Sequence, residues 1–111
     1  TRSWSKRIIN SASNCVTRVS QMPGEGNRRH YHKDWDEWWL ILEGEWSYEV
    51  DGVSGTVRQG DVVFIERHRV HRVVAKGTSR AVRMAVSRDG VAHIYPQDAP
   101  QRSAALTHEI G

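Results

Sequence analysis

Short apolar runs separated by turn residues recur along most of the chain, and this pattern limits the folds that the sequence can adopt. The segment 15–22, CVTRVSQM, alternates apolar and polar residues with the period of two that is typical of a half-buried strand. Glycine-containing turns follow at intervals, among them EGE at 43–45, QGD at 59–61 and KGTS at 76–79. No segment between residues 15 and 95 keeps a helical period. The sequence therefore predicts an all-β fold, a sandwich or a barrel.

The two ends of the chain differ from this central region. A chain of 111 residues is close to the commonest size of a single domain. We expect residues 15–95 to form the β domain and the polar residues 1–14 to form an N-terminal arm or an outer strand. Residues 96–111 are predicted to form a C-terminal tail that contains a candidate short helix at 103–110.

Charge and cysteine content argue against several classes of protein. The chain carries 16 Lys and Arg against 13 Asp and Glu, and its arginines are scattered, which argues against a nucleic-acid-binding protein. A net charge of +3 suits an anionic small molecule at least as well. The single cysteine, Cys15, excludes an internal disulfide, and no apolar run reaches the ~18 residues of a membrane span. We therefore expect no membrane partner, no signal peptide and a cytoplasmic location.

The segment 28–39, RRHYHKDWDEWW, places two histidines and a carboxylate close together in sequence. Side chains two residues apart on a strand point to the same face, so His30 and His32 can point inward together. The turn KDWD at 33–36 then reverses the chain, and Glu37 begins the next strand. Because adjacent strands lie about 4.8 Å apart, the three side chains can share one ion. Two imidazoles and a carboxylate would fill part of a coordination sphere.

A second segment, GDVVFIERHRVH at 60–71, supplies a further ligand. Gly60 makes a turn, residues 61–65 form a buried strand, residues 66–69 form a second turn, and His71 begins the following strand. The sequence thus offers a fourth side chain of a type that binds transition metals.

Together, these two segments resemble the two sequence motifs of the cupin family. The first motif is glycine, five residues, His-x-His, four residues, glutamate, six residues and glycine. The present chain keeps every spacing, with Gly24, His30, His32, Glu37 and Gly44 at the motif positions. The second motif is matched at Gly60 and His71, but Glu66 replaces its proline, His68 replaces its glycine, and Ala75 stands where asparagine is common. Since glycine adopts positive φ more readily than histidine, the substitution at residue 68 bears on the geometry of the turn.

The resemblance implies a small single-domain cupin, a β-barrel of the double-stranded β-helix or jelly-roll type. It also implies one divalent metal ion held by His30, His32, Glu37 and His71. Imidazole and carboxylate ligands suit Fe, Mn, Ni, Co or Zn, and their spacing does not select one of them. Three histidines and a glutamate leave open positions on a six-coordinate ion for substrate, water or dioxygen.

Several activities occur among cupins, including those of dioxygenases, decarboxylases, sugar isomerases and epimerases, and carbon–sulfur lyases. We expect a metal-dependent enzyme acting on a small, anionic or hydroxylated organic molecule. Dioxygenase chemistry is ranked first, with isomerase or lyase chemistry next. The alternative is a non-catalytic cupin that binds a sugar or an organic acid, in which the metal only holds the ligand or the fold.

Two residues outside the motif pattern are candidate substrate contacts. If Glu37 points inward, so does Trp39, which would wall the pocket beside the metal or fill the core. Arg83 alternates with Ala81 and Ala85, so it could offer a planar fork to a carboxylate or phosphate among small side chains. The alternative for Arg83 is an outward, solvated arginine.

The other tryptophans and histidines have less specific interpretations. Trp38 and Trp46 are assigned to a sheet-packing surface or a dimer surface, and we expect a homodimer because an exposed indole pair is a liability for a monomer. His68 is interpreted as a turn residue, with a role near the metal or substrate as the alternative. His93 and His108 are interpreted as structural or solvated residues.

Overall fold

The computed structural model describes residues 3–88 and 93–96. Its strands are β1 (Trp4–Asn10), β2 (Cys15–Gln21), β3 (Glu37–Glu43), β4 (Glu45–Val50), β5 (Val53–Arg58), β6 (Val62–Ile65), β7 (His71–Lys76) and β8 (Ala81–Ser87). The prediction of an all-β chain is confirmed for this part of the molecule. No helix among the described residues is long and apolar enough to cross a membrane.

The strands form two antiparallel sheets. The larger sheet has the order β1-β2-β8-β3-β6, and the smaller has the order β5-β4-β7. Along β3 the burial alternates: Glu37, Trp39 and Ile41 are buried, whereas the intervening residues are partly or largely exposed. The inward direction expected for Glu37 and Trp39 is therefore confirmed, and it follows from the alternation of side chains across a strand.

The hydrophobic core lies between the two sheets. Trp39, Ile41 and Val63 from the larger sheet share one buried cluster with Trp46 and Val73 from the smaller sheet. Trp46 therefore packs between the two sheets, which is one of the two roles predicted for it. It lies on the central strand of the smaller sheet and faces the larger one. Trp38 lies on the opposite face of β3 and remains exposed.

The segment that carries the His-x-His pair is not a continuous strand. It forms isolated bridges, His30 with His71 and Tyr31 with Ile94. Because these successive residues pair with different neighbours, no ladder develops, and the continuous strand on which the sequence placed His30 and His32 is absent. The bridges nevertheless hold the segment against the start of β7.

The chain ends can be followed only in part. β1 is the outer strand of the larger sheet and pairs with β2. The candidate helix at 103–110 and His108 lie outside the described residues, so the helix and the C-terminal tail stay predictions.

Substitution of Gly44 is expected to destabilise the fold strongly. This residue joins β3 to β4 with φ of 75°, and an added Cβ would lie 2.8 Å from the carbonyl oxygen of Arg80. Backbone strain and a clash with a neighbouring main chain should together lower the unfolding free energy of the Gly44→Ala variant by about 2–5 kcal/mol. Urea denaturation measures this change. Gly52→Ala is the control: its φ is 84°, but an added Cβ meets nothing within 4 Å. Equal losses in the two variants would contradict the role of the close approach.

Candidate metal centre

Four side chains converge in the interior, where one end of the larger sheet meets the smaller one. Glu37 is the first residue of β3, His71 is the first residue of β7, and His30 and His32 come from the bridged segment. Each offers one ligand atom, and these atoms all lie within 4.8 Å of one another. All four residues are buried. The structure thus brings together the complete set of ligands that the motif resemblance implies.

His30 and His71 are oriented by the same local arrangement. Their backbones form a reciprocal pair, with N···O distances of 2.9 Å from His30 to His71 and 2.7 Å in the reverse direction. Nδ1 of His30 lies 2.7 Å from the carbonyl oxygen of Arg28, and Nδ1 of His71 lies 2.9 Å from that of Arg69. Because a carbonyl oxygen only accepts, each Nδ1 carries a proton, and in the neutral His30 ring Nε2 therefore keeps its lone pair. Among the described residues, Nε2 of His30 has no hydrogen-bond partner.

Glu37 is held at both carboxylate oxygens. Its Oε1 lies 2.9 Å from Nε2 of His32 and 3.4 Å from Nε2 of His71. Its Oε2 accepts a hydrogen bond from the indole Nε1 of Trp39 at 2.9 Å. Burial alone would raise the pKa of Glu37, but the hydrogen bonds from His32 and His71 outweigh it and hold the pKa well below its ordinary value. The carboxylate is therefore ionised and turned toward the histidines.

The chemistry of this donor set fits a metal ion. Burial, followed by the nearby His71 and His93, lowers the pKa of His30 from 6.5 to about 2, so its imidazole is neutral. Metal ligands must be neutral imidazoles and ionised carboxylates, and their other ring nitrogens usually donate to a carbonyl. Three imidazoles with one carboxylate suit a divalent transition metal. The cluster therefore has the composition of a metal site, with an ionised Glu37 and a neutral His30.

The metal-free protein is expected to lose stability as the pH falls below 6.5. Unfolded His30 takes up a proton there, whereas the folded residue does not until the pH nears 2, so acid favours unfolding. The depressed pKa of Glu37 likewise lowers the stability of the folded state as the pH falls below 4.5. Between pH 6.5 and 5 the unfolding free energy should fall by about 1–2 kcal/mol, measured by urea denaturation with a chelator present. His30→Gln should flatten this slope, and a flat profile in the original protein would contradict the expectation.

His93 and Tyr95 lie next to the cluster, where neither residue was predicted to have a role. His93 is 5% exposed, and its ring lies 4.3 Å from the His30 ring and 4.8 Å from the His32 ring, measured between centroids. Of the two interpretations of His93, structural or solvated, its burial therefore excludes the solvated one. His93 and Tyr95 are two residues apart in the apolar run VAHIY, so their shared direction was a signal in the sequence.

The two predicted substrate contacts are both deeply buried. Trp39 belongs to the core cluster, and its ring lies 5.9 Å from that of His71. Arg83 is 1% exposed, with its guanidinium 5.2 Å from the Trp39 ring and 5.1 Å from the Trp46 ring. Burial lowers the pKa of Arg83 to about 10, and the negative charge of Glu37 opposes this shift. The solvated alternative for Arg83 is wrong, whereas direct contact of either residue with a substrate stays a prediction.

His68 adopts the backbone conformation that the cupin motif assigns to glycine. Its φ is 71°, and its N–H donates a 2.6 Å hydrogen bond to the carbonyl oxygen of His32. The turn therefore keeps its geometry despite the departures from the motif, at the cost of a strained non-glycine residue. The same turn thereby supports the backbone of a candidate ligand.

Comparison with known proteins agrees with this architecture. The family model Cupin_2, described as a cupin domain, matches residues 17–87. A Klebsiella pneumoniae protein with a double-stranded β-helix domain superposes with a TM-score of 0.72 at 17% identity, covering 97% of this chain and 86% of that chain. The cupin fold type predicted from the sequence is therefore confirmed as a double-stranded β-helix.

Two further solved structures carry functional names. A sugar phosphate isomerase of the cupin superfamily from Silicibacter pomeroyi has a TM-score of 0.77 at 21% identity, covering 95% of this chain and 75% of that chain. A putative sugar phosphate isomerase from Acidithiobacillus ferrooxidans has a TM-score of 0.76 at 19% identity, covering 86% and 65%. No curated protein sequence matches the chain. At these identities, the structural likeness shows the fold.

Proposed function

The chain belongs to the Cupin_2 family, and from this premise we propose that it is a metal-dependent enzyme acting on a small, hydroxylated or anionic molecule. The observation that carries the proposal is the buried group of three histidines and a glutamate whose ligand atoms lie within 4.8 Å of one another. A purely structural cluster would have no need of the buried Nε2 of His30, which has no hydrogen-bond partner among the described residues.

His30, His32, Glu37 and His71 would hold the ion, and Fe, Mn, Ni, Co or Zn all suit such ligands. A bound ion of this kind polarises a carbonyl, acidifies a coordinated water or activates dioxygen. An ion with open positions beside these four ligands would suit a substrate with two neighbouring oxygen atoms. A hydroxyl beside a carbonyl provides such a pair.

We place isomerisation of a hydroxycarbonyl compound first among the reactions. One protein with the same fold is named a sugar phosphate isomerase and another a putative sugar phosphate isomerase, which favours this class over the dioxygenase chemistry ranked first from its frequency in the family. Dioxygenase and lyase activities remain the next classes to assay. A non-catalytic sugar- or acid-binding cupin is the alternative function.

The surrounding residues of this chain have separable tasks in the proposal. Trp39 positions Glu37 by donating its indole N–H to Oε2. The backbone carbonyl groups before His30 and His71 orient the two imidazoles. Arg83 places a buried positive charge near Glu37, which offsets the cost of an ionised carboxylate in a low-dielectric interior. The site is thus organised before any substrate binds.

The test is turnover by protein reconstituted with one metal at a time. Sugar phosphates and their parent sugars in D₂O, followed by NMR, would show isomerisation as a new product, with deuterium gained at carbon if the proton exchanges with solvent. An oxygen electrode would detect dioxygenase activity in the same samples. Ligand binding without any product or oxygen consumption, across all metals, would favour the non-catalytic alternative.

We also propose a homodimer formed through the outer face of the larger sheet. Trp38 on β3 is the register partner of Phe64 on β6, and Phe64 and Val62 are each 60% exposed. Contiguous exposed apolar surface commonly marks a protein interface. Phe64→Glu should therefore convert a dimer to a monomer in light scattering, whereas Val53→Glu on the smaller sheet should not. A monomeric original protein would contradict this proposal.

A further inference from the structure

Asp51 binds the chain just before His71, although it is not one of the four candidate metal ligands. It begins the two-residue turn between β4 and β5, and φ is 48° at Asp51 and 84° at Gly52. Positive φ at both positions is the geometry for which tight hairpins use Asp-Gly. Because β4 pairs with β7, with Val50 opposite His71, the turn places Asp51 beside Val70.

The side chain and the backbone of Asp51 both bind Val70. Oδ1 of Asp51 accepts a hydrogen bond from the backbone N–H of Val70 at 3.0 Å, and the N–H of Asp51 donates to the carbonyl oxygen of Val70 at 2.8 Å. Oδ2 accepts a hydrogen bond from Nη1 of Arg69 at 2.9 Å. The bond from Arg69 and, to a smaller extent, that from Val70 lower the pKa of Asp51, so its carboxylate is ionised at neutral pH.

One peptide group connects this carboxylate to the imidazole of His71. The N–H of Val70 and the carbonyl of Arg69 belong to the same planar peptide group and point in opposite directions. The N–H donates to Asp51, whereas the carbonyl oxygen lies 2.9 Å from Nδ1 of His71 and accepts its proton in a hydrogen bond. Asp51 thus holds one side of the group whose other side orients a candidate ligand.

The other backbone N–H groups of the turn before His71 are also paired. Those of residues 67, 68 and 69 donate, in this order, to Oδ1 of Asp36 at 2.8 Å and to the carbonyl oxygens of His32 at 2.6 Å and Glu66 at 3.2 Å. These three bonds hold the turn in place. The bond from Val70 to Asp51 differs from them because it belongs to the peptide group that contacts the His71 ring.

We propose that Asp51 is a positioning residue that fixes the orientation of the His71 imidazole through the peptide group between residues 69 and 70. This inference rests on the proposed function, in which His71 holds the ion. A carboxylate that binds a ligating histidine directly fixes its ring and raises its basicity, and its loss costs about 10–100-fold in metal affinity. Hydrogen bonds in a chain polarise one another, so the charge of Asp51 strengthens the carbonyl of Arg69 as an acceptor.

The test measures the Co(II) affinity of Asp51 variants by competition with a metal-binding dye. Asp51→Gly removes the carboxylate, suits the positive φ of this position and keeps the backbone bond to Val70. It should weaken Co(II) binding about tenfold, at the lower end of the range for direct partners because a peptide group intervenes. Asp51→Asn keeps an oxygen acceptor for the N–H of Val70 and should recover most of the loss.

Asp61→Gly is the matched control. Oδ2 of Asp61 accepts a hydrogen bond from the backbone N–H of Arg58 at 2.8 Å, so this variant also loses a carboxylate that binds a backbone N–H and gains a glycine. Asp61 precedes β6, and it is the opposite end of this strand, at Ile65, that pairs with Glu37. Both glycine variants should lose some stability in urea, but only Asp51→Gly should lose Co(II) affinity.

Amide hydrogen exchange in chelator-treated protein separates this inference from the proposed function. The backbone N–H of His71 donates to the carbonyl oxygen of His30 at 2.7 Å, and it should exchange faster in Asp51→Gly than in the original protein or in Asp61→Gly. Faster exchange in an original protein that bound no Co(II) would refute the metal centre but support the positioning role of Asp51.

Four results would overturn the inference. They are unchanged exchange at His71, full Co(II) affinity in Asp51→Gly, equal losses of affinity in the two glycine variants, and an Asp51→Asn variant as weak as Asp51→Gly. Full affinity in Asp51→Gly would leave the metal centre itself intact. Equal losses would show that general destabilisation, rather than the contact with the 69–70 peptide group, controls metal binding.

Discussion

Replacement of His71 by alanine is expected to leave the purified protein nearly free of divalent metal. The imidazole is buried, its Nδ1 is committed to the carbonyl oxygen of Arg69, and its Nε2 faces Glu37 and the other ligands. Loss of an outer residue that merely orients a ligand costs about 10–100-fold in metal affinity, so loss of a ligand itself should cost more. Elemental analysis of protein purified without chelators or affinity metals measures the effect directly.

His68→Ala is the matched control for this substitution. His68 lies on the same turn and is exposed, and its link to His32 runs through its backbone N–H, which alanine retains. This variant should therefore keep the metal content of the original protein. If His71→Ala retained a full complement of metal, the four-residue site would be wrong. Iron in the original protein would direct assays to oxygen-dependent reactions, and manganese, nickel or cobalt would direct them to isomerases and lyases.

Trp39→Phe is expected to weaken metal binding about 10–100-fold without unfolding the protein. The substitution keeps an aromatic ring in the core but removes the Nε1–H that holds Oε2 of Glu37 at 2.9 Å. The carboxylate then loses the donor that directs it, and its buried oxygen loses a partner. A competition titration with a metal-binding dye measures the affinity, and circular dichroism verifies the fold.

Trp46→Phe separates this effect from the loss of buried volume. Trp46 belongs to the same core cluster and also lies about as far from the guanidinium of Arg83, at 5.1 Å against 5.2 Å for Trp39. Its Nε1 has no hydrogen-bond partner among the described residues. Similar losses of metal affinity in both variants would show that core packing, rather than the bond to Glu37, controls the site.

The candidate site could be predicted from the sequence because its residues occupy regular positions. Glu37 and His71 begin strands whose apolar alternation is clear, so their inward direction followed from a period of two. His30 and His32 were recognised by the same spacing, although their segment forms bridges rather than a strand. The family motif then related the two segments, which are far apart in the chain.

His93 and Arg83 show what local pattern leaves undetermined. His93 approaches His30 through the pairing of Tyr31 with Ile94, a long-range contact that no local periodicity specifies. Arg83 points to the same side of its strand as Ala81 and Ala85. From the sequence alone, a charged side chain at that position could equally reach bulk solvent at the end of the strand or be enclosed by aromatic rings. Its enclosure depends on Trp46, which comes from the other sheet. Such packing becomes evident only when both layers are in place.

The ligands of the candidate centre are divided between the two layers of the sandwich, with Glu37 on the larger sheet and His71 on the smaller. An ion bound by both would cross-link the two sheets at one end of the fold. Removal of the ion would allow the two sheets to separate at that end, while the aromatic core would hold the rest of the fold together. After chelation, amide hydrogen exchange should therefore accelerate first at the starts of β3 and β7. The rates of metal uptake and release would be limited by the separation of the two sheets at that end.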